Sequence, residues 1–277
     1  MKSIIAVLCF FVLWLQTLIS HGQSEPASEA RDGAQTSEIV VIALGPRPQR
    51  KFRETDDGDA AVMLLAQPGE TPPSRLFYQD DSIRDAEKKW TSFNLAFNNS
   101  STFRKTVPGR ELKLHQRKAG GEAYDVYVSL PAVPPASRTI FFLTPKSLGP
   151  KPWEDFPAVR SLGLENAELA DKQFILANFS KHSVQHAFED SIEVVRPNQI
   201  LSYQRDQVGQ IYRLAARYGR EQKIIYNTAV RLNEEGHAQL FVLYDANPET
   251  NAGRDVGVFR MMIPARESEM LPGASSE

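Results

Sequence analysis

AYDVYVSL, residues 123–130, decides the fold class. Tyr124, Val126, Val128 and Leu130 alternate with Asp125, Tyr127 and Ser129, the period of a half-buried β-strand. Reading outward, the preceding nine residues, QRKAGGEAY (116–124), share four fixed positions with QRDQVGQIY (204–212). Gln116, Arg117, Gly121 and Tyr124 answer to Gln204, Arg205, Gly209 and Tyr212. Glycine suits a turn or bulge, and a half-buried tyrosine suits the start of a strand. The motif is therefore expected to be architecture used twice: a strand end, a turn and a strand start.

Similar short runs fill the chain. They include IVVIAL (39–44), AVMLLA (61–66), WTSFNLAF (90–97), TIFFLT (139–144), KQFILANF (172–179), KIIYNTAVRL (223–232), AQLFVLY (238–244) and VGVFRMMI (256–263). They are rich in β-branched and aromatic residues, and Gly, Pro, Asn and Asp separate them. Helical signal is confined to 80–90 and 212–223, and 210–218, which overlaps the second, is read as a strand by analogy with 123–130. DDGD (56–59) and EEGH (234–237) have the composition of hairpin tips.

Further landmarks suggest a duplication. Phe93, Leu95 and Ala96 match Phe174, Leu176 and Ala177. Ile140–Leu143 match Leu240–Leu243, with a fainter echo at Val62–Leu65. Asp155 and Arg160 match Asp255 and Arg260. The expectation is an all-β chain of two tandem antiparallel β-sandwich domains, 38–150 and 155–266, from an internal duplication. Short strands, regular turns and the lack of alternating helices favour sandwiches over an α/β fold. The result resembles immunoglobulin-like modules in this general sense, without their disulfide or Cys…Trp…Cys spacing. TPKSLGPKPWEDFP (144–157) reads as a semi-rigid linker between the two domains.

The ends set the expected address. Met1-Lys2, an apolar run over 3–20 and Ser20-His21-Gly22 have the layout of a signal peptide over 1–22. Cleavage would remove Cys9, the only cysteine, leaving no thiolate chemistry and no disulfide. Residues 23–37 read as a flexible spacer and 267–277 as a flexible tail. Without Lys2, 31 basic residues face 34 acidic ones. No basic stripe suggests nucleic acid, and no second apolar stretch is long enough to span a membrane.

Candidate chemistry is sparse. His182 and His186, with Glu189 and Asp190, lie in HSVQHAFED (182–190). Spacing of four would join two imidazoles on a helix but separates them by about 13 Å on a strand. The stretch reads as a hairpin, so a solvated loop is expected and metal binding is not. Asp56, Asp57 and Asp59 lack a calcium-loop pattern and are assigned to a turn at Gly58. Trp90 and Trp153 are either sugar platforms or core. Asn98, Asn99 and Asn178 head glycosylation sequons.

No catalytic, cofactor or metal residues are assigned. The expectation is an exported, non-enzymatic protein, periplasmic or extracellular, acting as a structural or interaction module of a cell envelope. Its partner would be an envelope protein or glycan, met through loops around 181–190 and 219–236. The alternatives are a carbohydrate-binding accessory module and a hydrolase in which two or more of His182, His186, Glu189, Asp190 and the distant acids meet in one cleft.

Overall fold

Chain segments that are apolar at every position need cover on both faces, and four such segments organise this fold. The computed structural model describes residues 36–57, 60–79, 89–118, 121, 123–165, 174–188, 191–204, 211–218, 221–229 and 238–264, which carry strands and no helix. β1 (Ser37–Ala43) runs parallel to β10 (Arg138–Thr144) and to the short β6 (Ala96–Phe97). β7 (Arg104–Thr106) pairs antiparallel with the start of β1, and β11 (Ala158–Gly163) pairs antiparallel with β10. These five strands form the first central sheet. The second has the order β15 (Ile200–Tyr203), β12 (Phe174–Asn178), β18 (Ala238–Asp245), β19 (Val256–Ile263), with β12 and β18 parallel.

Two outer sheets are antiparallel throughout. The first has the order β5 (Trp90–Asn94), β4 (Arg75–Gln79), β8 (Leu112–Arg117), β9 (Tyr124–Leu130). The second has the order β14 (Ser191–Val195), β13 (Val184–Phe188), β16 (Ile211–Tyr218), β17 (Glu221–Ala229). A separate ribbon pairs β2 (Phe52–Glu54) with β3 (Ala61–Met63).

Side-chain alternation along the central strands divides three cores. Ile39, Val41 and Ala43 of β1 join Phe141 and Leu143 of β10 against Leu76, Phe93, Leu114 and Leu130 of the first outer sheet. The opposite faces, Val40 and Ile42 with Ile140 and Phe142, meet Ile175, Ala177, Leu240, Val242 and Met261 of the second central sheet. The reverse side of that sheet, Phe174, Leu176, Phe241 and Leu243, packs on Tyr212, Leu214 and Ile225 of the second outer sheet. Each fully buried Val, Ile, Leu or Phe contributes about 1.5–3 kcal/mol, so the middle core is a major contributor to stability. It draws side chains from both halves of the chain.

Polar ties cross the same seam. Arg138 is buried, lies over the Phe103 ring, pairs with Glu38 at 3.1 Å and donates from Nη1 to the carbonyl of Pro264 at 2.9 Å. Arg160 stacks over Phe179 and donates to the side-chain oxygen of Asn198.

The all-β expectation holds across the described residues, and 212–218 is a strand. Several finer expectations are corrected. The central sheets are mixed rather than antiparallel, because strands covered on both faces suit parallel pairing. β11, which follows the expected boundary at 150–155, pairs along its whole length with β10 of the preceding segment. Ser37 is not spacer: it is buried in β1 and donates its hydroxyl to the carbonyl of Pro134 at 2.6 Å. The proline-rich join is packed as well. Trp153 is buried in the first core, and its backbone N–H donates to the carbonyl of Gly69 at 2.9 Å.

The repeated motif falls on unlike places. Arg117 ends β8 and Tyr124 begins β9, a hairpin within one outer sheet. Gln204 instead follows β15 of a central sheet, and Tyr212 lies in β16 of an outer one. Phe93 is on outer strand β5 and Phe174 on central strand β12; Val62 and Met63 are exposed on β3, unlike buried Leu240 and Phe241. The expected signal peptide (1–22), the body of the spacer, the tail, the 80–88 helical signal and the EEGH tip lie outside the described residues.

Candidate functional site

The ribbon of β2 and β3 carries a group of exposed apolar residues. Every residue in both strands is exposed, with Phe52 at 59%, Met63 at 55% and the following Leu65 at 85%. Val62 and Leu64 are also exposed. Phe52 and Met63 are register partners and so share a face. A two-stranded ribbon alone is marginal in water, so its base is clamped. Lys51 Nζ lies 2.5 Å from Glu70 Oε1, the N–H of Gln67 donates to Glu70 Oε2 at 2.7 Å, and the N–H of Leu64 donates to the Lys51 carbonyl at 2.8 Å. The Lys51 hydrogen bond, followed by the Gln67 amide, holds the Glu70 carboxyl below its ordinary value. Asp56 and Asp57 sit at the tip, while Gly58 and Asp59 lie outside the described residues.

Beside this clamp is a cleft of about 410 Å³, lined by Pro46, Arg47, Gln49, Lys51, Pro150 and Glu249 among others. It gathers the chain leaving β1, the proline-rich join and the chain leaving β18. Gln49 donates to Glu249 Oε2 at 2.5 Å across it. Its prolines offer no N–H donors, and the charges named here are of both signs.

A second exposed face belongs to the first outer sheet. Trp90 stacks on Tyr124 with ring centroids 4.1 Å apart and 17° between planes. His115 meets Trp90 edge-on at 4.8 Å, and Phe77 meets Tyr124 edge-on at 5.1 Å. All four rings are half-buried. Burial lowers the His115 pKa, with nearby Lys113 acting in the same direction. Trp153, the other tryptophan considered as a platform, is only 3% exposed and belongs to the core.

The histidine cluster is rearranged relative to its expected loop. β13 and β14 form the hairpin, but His186 points inward and is 1% exposed. Its register partner is Glu193. Tyr203 of the neighbouring central sheet reaches both: its hydroxyl donates to Glu193 Oε2 at 2.9 Å and lies 2.8 Å from His186 Nε2. His182 sits in the turn before β13, where its carbonyl accepts from Asn178 Nδ2 at 2.8 Å. Glu189 and Asp190 lie outside the described residues. Of the four groups named for the hydrolase alternative, only His182 and His186 lie among the described residues, and His186 meets Glu193. No group of three His, Cys, Asp or Glu side chains that could hold a metal gathers among the described residues.

Two of the three sequons are structurally committed. Asn178 is fully buried and also donates to the Val195 carbonyl at 3.1 Å. Asn98 has φ 49° and pairs its amide with both the N–H and the carbonyl of Gly45. Asn99 is exposed.

Sequence reasoning missed Phe52, Glu193 and Tyr203. The only local signal was the hairpin count that sets His186 opposite Glu193. The interaction loops expected at 181–190 and 219–236 contain strands β13 and β17. No known family model matches the chain, and no curated protein is detectably similar to it.

Proposed function

We propose that the chain is an exported, non-enzymatic module of a cell envelope that binds a protein partner through the β2–β3 arm. The observation that carries this reading is the arm itself: a clamped ribbon presenting Phe52, Val62, Met63, Leu64 and Leu65 to solvent. Exposed apolar side chains grouped along one arm are a feature of interaction sites, and a ribbon edge offers backbone groups for strand addition. The leader-like residues 1–22 support export.

The scaffold is read as two immunoglobulin-like sandwiches from an internal duplication. Supporting this, β5-β4-β8-β9 and β14-β13-β16-β17 have the same order relative to the chain. Each lies against a central sheet with a parallel pair, β1 with β10 and β12 with β18. Among the described residues the arm is present only in the first half, between β1 and β4. The test is retention from intact envelope using residues 23–277 and a variant carrying Phe52→Ser, Met63→Ser and Leu65→Ser. The reading expects a retained protein to be lost from the variant; equal retention by both rejects the arm.

The second reading, a carbohydrate-binding module, is favoured by the half-exposed Trp90–Tyr124 stack. Glycan-array binding abolished by Trp90→Ala would support it, and silence of the wild-type protein on the array would reject it.

A further inference from the structure

Three strands bring three different donor side chains to one point at the edge of the second sandwich. His186 comes from β13, Glu193 from β14 and Tyr203 from β15. Tyr203 Oη lies 2.8 Å from His186 Nε2 and 2.9 Å from Glu193 Oε2, and the last two atoms are 3.4 Å apart. These are the side chains' own metal-binding atoms: imidazole nitrogen, carboxylate oxygen and phenol oxygen. The imidazole is buried, whereas the Glu193 side chain is 51% exposed, so the cluster has a path to solvent.

The triangle has the right size for a small cation. The circle through its corners has a radius of about 1.8 Å, so an ion about 1 Å above the plane sits about 2.0–2.1 Å from all three atoms, the usual Zn–N and Zn–O distances. The angles at such an ion are about 86°, 90° and 112°, a facial set that leaves further positions for water or another ligand.

We propose that His186, Glu193 and Tyr203 form a binding site for a first-row transition-metal cation, independent of the arm and of the partner it engages. In the absence of a cation the same atoms make a hydrogen-bond chain, in which His186 Nε2–H donates to Tyr203 Oη and Tyr203 O–H donates to Glu193 Oε2. A cation replaces the two bridging protons. The phenol proton leaves to solvent, and the imidazole proton moves to Nδ1, so one proton is released per ion bound to an ionised Glu193 and neutral His186. The charge of a bound cation favours loss of the phenol proton. A bound ion would join the outer-sheet edge, β13 and β14, to the central-sheet edge, β15.

The test is titration of the purified full chain with Co²⁺, followed by visible absorption, and displacement by Zn²⁺. Tyr203→Phe and Glu193→Gln remove one donor each while His186 stays in place, and circular dichroism checks that both variants remain folded. The expected result is one cobalt per chain with a visible ligand-field band, displaced by one equivalent of Zn²⁺, and affinity at least tenfold weaker in both variants. No band in the wild-type protein overturns the proposal. So does binding of equal strength in the wild type and both folded variants.

Discussion

A Cβ on Gly45 would lie 2.8 Å from Cζ2 of Trp153, so the indole occupies the space that any other residue's side chain would need. This contact fixes the proline-rich join against the end of β1 and makes it part of the first core. Gly45→Ala is expected to destabilise by about 1–3 kcal/mol through overpacking, and Trp153→Ala by about 3–5 kcal/mol through the cavity left behind. Urea unfolding midpoints measure both effects.

The middle core predicts that the halves unfold together. Phe142 and Val242 come from different halves yet belong to one buried cluster. Phe142→Ala should cost about 3–5 kcal/mol and lower the unfolding midpoint reported from each half alike. Hydrogen exchange of β10 and β18 amides after the substitution checks this. Loss of protection confined to β10 would show that the halves are energetically separate.

Acid should loosen the base of the arm. In the fold, Lys51 and the Gln67 amide hold the Glu70 carboxyl below its ordinary value of 4.5. The contribution of this clamp is therefore full above that value and is lost as pH falls through the lower folded value. Limited proteolysis between β2 and β3 should accelerate in that acid window. Glu70→Gln should be cut faster at neutral pH and lose this acid-dependent increment.

Gly257 passes under the Tyr244 ring so closely that a Cβ would overlap Cε2 and the hydroxyl oxygen. Burial also raises the Tyr244 pKa. Gly257→Ala must displace the ring or part β18 from β19, where Tyr244 and Gly257 are register partners. The expected cost is about 1–3 kcal/mol, and Tyr244→Leu in the same chain should recover part of it by removing the hydroxyl and the ring.

The layer to which many strands belong was legible in the sequence. IVVIA, IFFL, FILA and LFVL are apolar without alternation, and each is buried on both faces in a central sheet. YDVYVSL lies in an outer sheet, but its expected alternation breaks where the register with β8 shifts: Val126 is exposed and Tyr127 is buried. Partner choice was not legible, because β1 pairs with β10 across about a hundred residues and local composition does not encode that choice.

The QR…G…Y match misled for a related reason: strand, turn and strand use the same local vocabulary whether the chain stays in one sheet or leaves it. The Arg160–Arg260 match failed by register. Phe142 pairs with Arg160, but Phe241, not Val242, pairs with Arg260. Arg160 consequently stacks over Phe179 of the middle core and Arg260 over Phe241 of the third. A one-residue shift exchanges the faces of a strand. The His186–Glu193–Tyr203 cluster was only half visible, since the hairpin fixes the first pair while Tyr203 arrives from another sheet.

The claim that the arm is the docking element is tested most directly by placing a photo-crosslinking amino acid at Leu65, with a second copy of the experiment at exposed Lys113 on the first outer sheet. Both proteins are expressed from residue 1 and irradiated in intact cells. The account predicts a discrete adduct of higher mass from position 65 and none of that mass from position 113. No adduct from position 65, or the same adduct from both positions, would contradict it.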